Sequence, residues 1–115
     1  MKGHSFLRRL GFALAGLAFA WQREQSFRIQ VAAGAAALLV LGILQPKPVW
    51  WALVILASAS VLTAELFNAT VEHLCDHLHP DRHPEIKAIK DLAAGAVLVA
   101  ALGALVVGGL LVFAM

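Results

Sequence analysis

The chain has 115 residues, of which 61% are hydrophobic and 14% are charged. That apolar share is too high for a water-soluble domain of this length, so the expected solvent is lipid. Only helices and closed barrels satisfy their backbone polar groups in hydrocarbon, and the sequence lacks the alternating strands of a barrel. A net charge of +2, without an interleaved basic and aromatic patch, argues against nucleic acid as a partner. We therefore predict a single all-α integral membrane domain over residues 1–115.

The N-terminal segment mixes charged and apolar positions. Between residues 4 and 26, the charged Arg8, Arg9, Arg23 and Glu24 stand among Leu, Phe and Trp. This mixture is typical of an amphipathic helix that lies in the membrane interface. We expect such a surface helix over residues 4–26.

Three apolar stretches follow and predict three transmembrane helices. The first covers residues 29–44 and ends where the two prolines of residues 45–48 remove amide donors and disfavour helix. The second span is expected over residues 49–72 and the third over residues 92–114. Between these two, residues 77–84 carry two prolines without apolar periodicity and predict a loop.

The distribution of basic residues predicts the orientation in the membrane. Of the nine Lys and Arg residues, only Lys47 lies between the first and second spans. Because basic loops stay on the cytoplasmic side, we expect the N-terminus and residues 73–91 in the cytoplasm and the C-terminus outside. This arrangement fits a protein of the bacterial inner membrane.

A stripe of polar side chains at the end of the second span is the strongest functional signal. On a helix that advances about 100° per residue, Glu65, Asn68, Glu72 and Asp76 fall on one face. A charged carboxylate is disfavoured by about 2.5 to 3.5 kcal/mol at mid-membrane, and neighbouring carboxylates repel one another. A cation or a proton is therefore expected among them, and Mg²⁺ suits hard carboxylate oxygens. The alternative is a solvated helix end that faces water beyond the bilayer.

Lys90 and Asp91 directly precede the third span, at the same membrane boundary. Lysine suits phosphate oxygens, and an aspartate can orient the lysine or reach a metal ion. In the alternative interpretation, Lys90 is an interfacial anchor and Asp91 caps the helix.

The histidine-rich segment between the second and third spans raises a separate hypothesis of a zinc site. His73 and His77 stand one turn apart on a helix, and Cys75, His79 and His83 lie close by in the sequence. No regularly spaced fourth ligand accompanies them, which weighs against zinc. Neither a GxxxxGK[ST] phosphate loop nor the motifs of soluble protein kinases occur, so a nucleotide would be bound without them.

The stretch AELFNATVEHLCD, the His-Pro loop and the stretch KAIKDLAAGAV resemble the prokaryotic diacylglycerol kinase family, which includes undecaprenol kinases. Trp21, Glu24, Phe27 and Arg28 resemble the end of the surface helix in that family, so the resemblance covers almost the whole chain. It implies a homotrimer of three-span subunits, with active sites between neighbours at the cytoplasmic interface.

The resemblance also implies roles for individual residues in the ATP-dependent phosphorylation of a lipid hydroxyl. Glu65 would be the general base, and Asn68 would support the catalytic helix. Glu24 and Glu72 would coordinate the Mg²⁺ ion that bridges the ATP phosphates. The residues expected to contact ATP are Glu24, Glu72, Asp81, His83, Lys90 and Asp91.

Some positions depart from the family pattern. Ile89 replaces an alanine, and Phe12 stands where relatives often have tyrosine. An arginine that contacts the nucleotide is expected near the start of the surface helix. It corresponds to Arg8 or Arg9, although an ungapped register places Ser5 at that position.

The nature of the lipid is left open between two substrates that both present a primary hydroxyl at the interface. The HP-x-x-K stretch favours undecaprenol, whereas Gln30, which replaces a histidine frequent in undecaprenol kinases, favours diacylglycerol. Of the two lipids, we expect diacylglycerol to be the substrate. Two alternatives lie outside enzymes, namely a cation or proton conduit lined by Glu65 and Glu72, and a structural or regulatory membrane subunit.

Overall fold

The computed structural model describes residues 3, 5–79 and 83–114. These parts of the chain form four helices and no strand, namely α1 (Phe6–Arg23), α2 (Gln25–Leu44), α3 (Pro48–Leu78) and α4 (Pro84–Ala114). Helices α2, α3 and α4 are each long and apolar enough to cross a membrane. The prediction of an all-α membrane protein, with an N-terminal helix ahead of three apolar helices, is confirmed.

Helices α1 and α2 meet at a single non-helical residue, Glu24. Its backbone is extended, with φ −113° and ψ 103°, so α1 leaves the axis of α2 at this point. The Glu24 amide donates to the Ala20 carbonyl at 2.8 Å, and Arg28 Nη1 donates to the Trp21 carbonyl at 2.6 Å. Both bonds satisfy carbonyl groups that a helix end otherwise leaves without partners. The surface helix therefore ends at Arg23, a little before the predicted boundary.

A left-handed residue ends α2 and allows the chain to reverse. Gln45 has φ 49° and ψ 56°, and its amide donates to the Leu41 carbonyl at 2.8 Å. The Gln45 side chain also donates from Nε2 to the Gly42 carbonyl at 2.7 Å. Pro48 then occupies the first turn of α3, where a helix loses nothing from a missing amide proton.

The apolar helices differ in length, and the longer pair carries the polar stripe. Helix α2 has 20 residues and spans about 30 Å, close to the thickness of the hydrocarbon layer. Helices α3 and α4 have 31 residues each and reach about 46 Å. The predicted loop over residues 77–84 is shorter than expected, because α3 continues to Leu78 and Pro84 starts α4 instead of preceding it. The additional turns of α3 and α4 extend beyond the length of α2.

The core of the bundle lies where α3 contacts both α2 and α4. Leu41, Val54 and Leu111 are buried there, with Trp50 and Trp51 packed against them. Many large apolar side chains elsewhere on the described helices are exposed, as expected for surfaces that face lipid or further copies of the chain. A cavity of about 490 Å³ between α2, α3 and α4 is lined mostly by apolar side chains.

Candidate active site

The polar stripe of α3 runs from a buried to an exposed position. Glu65 is only 8% exposed, whereas Glu72 and Asp76, further along the helix, are exposed. Asn68 Nδ2 donates to Glu72 Oε1 at 3.4 Å. The buried Asn68 Oδ1 finds no hydrogen-bond partner within the part of the chain that the structure describes. The stripe therefore places one carboxylate inside the fold and two at its open end, with an amide between them.

Glu65 is surrounded by charged and polar groups from two other segments. Glu24, at the break between α1 and α2, and Glu72, on α3 itself, both lie near enough to interact electrostatically with Glu65. The side chain of Gln30 on α2 also interacts with the Glu65 carboxylate, and Gln30 lines the apolar cavity. Like charges in one site destabilise each other, so this arrangement favours a cation among the three carboxylates. The fold thus brings Glu24 to the α3 stripe.

Glu24 is also hydrogen-bonded to His73, for which the sequence suggested only a role as a zinc ligand. Glu24 Oε1 and His73 Nε2 are 2.8 Å apart, with the Glu24 side chain 22% exposed and the His73 side chain 52% exposed. The His73 ring packs edge-to-face on Phe19 of α1, with ring centroids 5.6 Å apart. The contact joins residues 49 positions apart, so no local pattern in the sequence indicated it.

Two ion pairs order the ends of α3 and α4. Lys90 Nζ donates to Asp76 Oδ1 at 2.5 Å, and Lys87 Nζ donates to Asp91 Oδ2 at 2.6 Å. Lys90 is therefore oriented by Asp76 of the neighbouring helix, and Asp91 pairs with the lysine one turn before it. The structure brings Lys90 to the acidic stripe through Asp76, a member of the stripe without an assigned role in the sequence-based prediction.

The other predicted nucleotide contacts form local hydrogen bonds or fall outside the described residues. Asp81 falls outside the described residues. His83 precedes α4 and makes local contacts, since its Nδ1 accepts from the Glu85 amide at 3.1 Å and its carbonyl accepts from the Lys87 amide at 3.0 Å. Ser5 caps α1, because its Oγ accepts from the Arg8 amide at 3.3 Å.

The carboxylate oxygens of the site are donors of the kind that Mg²⁺ prefers. Among the described residues, no group of three or more His, Cys, Asp or Glu is arranged to hold a metal ion, so neither zinc nor a site with three protein ligands is indicated there. Mg²⁺ needs fewer protein ligands, since it is commonly held by one or two carboxylates together with substrate phosphates and water. In the described part of the chain, Oε1 of Glu24 is engaged by His73 and Oε1 of Glu72 by Asn68. Each carboxylate oxygen can accept more than one bond, so both glutamates retain acceptor capacity for a cation.

Comparison with known proteins decides the family. The profile of the family described as prokaryotic diacylglycerol kinase matches residues 11–112. The chain belongs to the prokaryotic diacylglycerol kinase family. This family membership supports a lipid kinase as the class of enzyme and agrees with three apolar helices of a membrane protein.

Relatives within the family carry two different substrate names. The chain is 36% identical to a diacylglycerol kinase of Synechocystis sp. over 87% of its own length and 58% of the relative's length. It is 34% identical to an undecaprenol kinase of Bacillus subtilis over 78% of its own length and 72% of the relative's. A diacylglycerol kinase of Pseudomonas aeruginosa is 32% identical over 86% of the chain and 84% of the relative. The chain therefore spans little more than half the length of the Synechocystis protein.

Proposed function

We propose that this diacylglycerol kinase family member transfers the γ-phosphoryl group of ATP to the primary hydroxyl of diacylglycerol, which gives phosphatidic acid. The observation that carries the proposal is the buried Glu65 with Glu24 and Glu72 beside it, at one end of an apolar helical bundle. A carboxylate between lipid and the aqueous boundary suits a reaction that joins a lipid hydroxyl to a water-soluble nucleotide. The names of the relatives point to the same reaction class.

Glu65 acts as the general base in this proposal. It accepts the proton of the lipid hydroxyl while that oxygen forms a bond to the γ-phosphorus and the bond from the γ-phosphorus to the bridging oxygen of ADP breaks. The apolar cavity is lined by Gln30, whose side chain interacts with Glu65, and it provides a route for an alkyl chain that brings the hydroxyl towards the carboxylate. Because Glu65 is shielded from water, it accepts a proton from the lipid hydroxyl rather than from water.

The other stripe residues bind and orient the nucleotide. Glu24 and Glu72 would hold Mg²⁺ through carboxylate oxygens, and the ion would offset charge on the phosphate groups of ATP. Lys90 contacts phosphate oxygens, and Asp91 supports the nucleotide. Asn68 holds Glu72 through its amide, as their hydrogen bond indicates. Asp81 and His83 of the segment before α4 are proposed to close over the nucleotide.

The assembly and orientation are part of the same proposal. The exposed apolar faces of the helices are compatible with packing between copies, and we propose the homotrimer with shared active sites that the family resemblance implies. The chain would lie in a bacterial inner membrane with its N-terminus in the cytoplasm and its C-terminus outside. This orientation places Glu72 and Lys90 on the side where ATP is available.

A labelled-phosphate assay tests the reaction and the substrate together. Purified protein in lipid bilayers receives γ-labelled ATP and Mg²⁺ with either diacylglycerol or undecaprenol, and the label in extracted lipid is counted. We expect label in phosphatidic acid, with diacylglycerol preferred. A preference for undecaprenol would assign the alternative substrate and correct the lipid while retaining the kinase. Cation or proton flux in sealed vesicles, without transfer of label to either lipid, would show that the chain is a conduit and not a kinase.

A further inference from the structure

A cluster of four side chains connects α1, the residue that follows it and α3. His73 of α3 is hydrogen-bonded to Glu24 at 2.8 Å, and its ring lies edge-to-face on Phe19 with ring centroids 5.6 Å apart and an interplanar angle of 70°. The Arg23 guanidinium lies over the Phe19 ring, 5.0 Å from its centroid. We refer to Phe19, Arg23, Glu24 and His73 as the docking cluster. His73 is its only member on α3, so it makes every contact between the two helices within the cluster.

Helix α1 is largely exposed along its length. Within α1, all of which the structure describes, Ala20 is the only buried residue. The connection to α2 is the single extended residue Glu24, whose two backbone dihedral angles set the direction of α1. The hydrogen bond from Arg28 to the Trp21 carbonyl also spans this junction, and the side-chain interactions of His73 add to it in setting the position of α1.

The hydrogen bond of His73 also locates the Glu24 carboxylate. An ionised carboxylate only accepts hydrogen bonds, so the 2.8 Å contact is a hydrogen bond from His73 Nε2 to Glu24 Oε1 when the carboxylate is ionised. His73 directly follows Glu72 in the sequence of α3. The bond therefore ties Glu24 to the residue next to Glu72, and the distance between these two carboxylates depends on it.

We propose that His73 is a positioning residue, which docks α1 onto α3 and holds Glu24 within reach of a metal ion shared with Glu72. The proposal rests on the proposed function through the metal-binding roles of Glu24 and Glu72. It assigns His73 a role in place of the zinc ligand considered from the sequence. The aromatic contact with Phe19 keeps the imidazole in the orientation that the hydrogen bond requires.

The docking part is tested by distances that need neither metal nor catalysis. Spin labels are attached to cysteines introduced by Gly16→Cys on α1 and Leu74→Cys on α3 in a Cys75→Ala background. A Cβ at Gly16 meets no atom within 4 Å, and Leu74 is 56% exposed, so both positions accept a label. Labelled protein is diluted with an excess of unlabelled copies, so that the distances arise within one chain. We expect one narrow distribution, which broadens and lengthens in His73→Ala and returns towards the original in His73→Gln.

The positioning part is tested by metal affinity. Binding of Mn²⁺ is measured by electron paramagnetic resonance with a non-hydrolysable ATP analogue, and the Mg²⁺ dependence of phosphate transfer is measured in parallel. His73→Ala should weaken Mn²⁺ binding and raise the half-saturating Mg²⁺ concentration about fivefold to tenfold, because it removes a half-exposed hydrogen bond to a charged group. The turnover at saturating Mg²⁺ should change less. His73→Gln should restore most of the affinity, since its amide can donate in place of Nε2.

His77→Ala is the matched control, because it removes an exposed imidazole one turn further along α3 and outside the docking cluster. It should match the unmodified chain in both measurements. An unchanged distance distribution in His73→Ala would overturn the docking role, and a broadened distribution with unchanged Mn²⁺ affinity would overturn the positioning role. Absence of phosphate transfer by the unmodified chain would instead count against the proposed function, while the distances would still decide the docking.

Discussion

Lys90 on α4 donates from Nζ to Oδ1 of Asp76 on α3 across 2.5 Å. The Lys90 side chain is 36% exposed and the Asp76 side chain 66% exposed, so the pair lies at the open end of the acidic stripe. Asp76 thereby holds the ammonium group on the same face as Glu72. The pair joins the proposed metal-binding and phosphate-binding parts of the site, and it couples the C-terminal end of α3 to the N-terminal part of α4.

The first prediction concerns this pair. Asp76→Asn should raise the KM for ATP severalfold, because Lys90 loses the partner that orients it, while Lys90→Met should raise the KM further and lower kcat as well. Steady-state phosphate transfer at varied ATP concentrations measures both effects. Glu85→Gln is the control, since Glu85 is an exposed acidic residue in the first turn of α4. A normal KM for ATP in Lys90→Met would exclude the proposed contact between Lys90 and phosphate.

The second prediction concerns the base. Glu65→Gln should lower turnover by about 10² to 10⁴, the range typical of general-base catalysis, because the amide cannot accept the proton of the lipid hydroxyl. Nucleotide affinity should change little, and size-exclusion chromatography should show the same oligomer. Turnover is measured with labelled ATP in reconstituted bilayers. Near-normal turnover would show that Glu65 is not the general base. Its burial would then have a structural role only.

The third prediction concerns the metal. Glu72→Gln should increase the Mg²⁺ concentration required for half-maximal phosphate transfer, because the site loses one carboxylate oxygen donor. The double variant with Glu24→Gln should need more Mg²⁺ than either single variant. The measurement is a Mg²⁺ titration at fixed ATP, with Glu85→Gln again as a control for lost negative charge. If the titration of Glu72→Gln coincided with that of the unmodified chain, Glu72 would not be a metal ligand.

The fourth prediction concerns the core. Leu41 is fully buried, with 0% exposure, so Leu41→Ala should destabilise the bundle by about 2 to 5 kcal/mol through lost packing and a new cavity. Leu39, two residues earlier on α2, is 71% exposed, and Leu39→Ala should have a much smaller effect. Thermal unfolding in detergent, followed by circular dichroism, compares the two variants. Equal losses of stability would mean that the Leu39 face is packed against another copy of the chain.

Much of the fold follows from local features of the sequence. The uncharged run from residue 29 to residue 44 predicts α2 because length and hydropathy alone decide whether a segment can cross a bilayer. The prolines at positions 46 and 48 predict the turn for the equally local reason that they disrupt helical hydrogen bonding. The structure differs from the predicted loop at residues 77–84, since α3 continues to Leu78 and Pro84 begins α4, where a helix accepts proline in its first turn.

Some features of the candidate site also follow from local sequence, whereas others depend on tertiary packing. Helical periodicity alone placed Glu65, Asn68 and Glu72 on one face, since all three belong to α3 and neighbours on a helix are set by its 3.6-residue repeat. The burial of Glu65 and its interaction with Gln30 required the packing of α2 against α3. Glu24 had no local signal for a role, and only the family resemblance pointed to it.

Sequence by itself determined the membrane-spanning helices, the acidic stripe and the family resemblance, because each depends on residues near one another in the chain. Tertiary structure decided which distant groups meet. It joined Glu24 to His73, directed Lys90 to Asp76 rather than to the adjacent Asp91, and placed Glu65 within reach of two other carboxylates. These contacts depend on the angle at which α1 leaves α2 and on the packing of α3 against α4. Neither quantity is encoded by the pattern of any single helix.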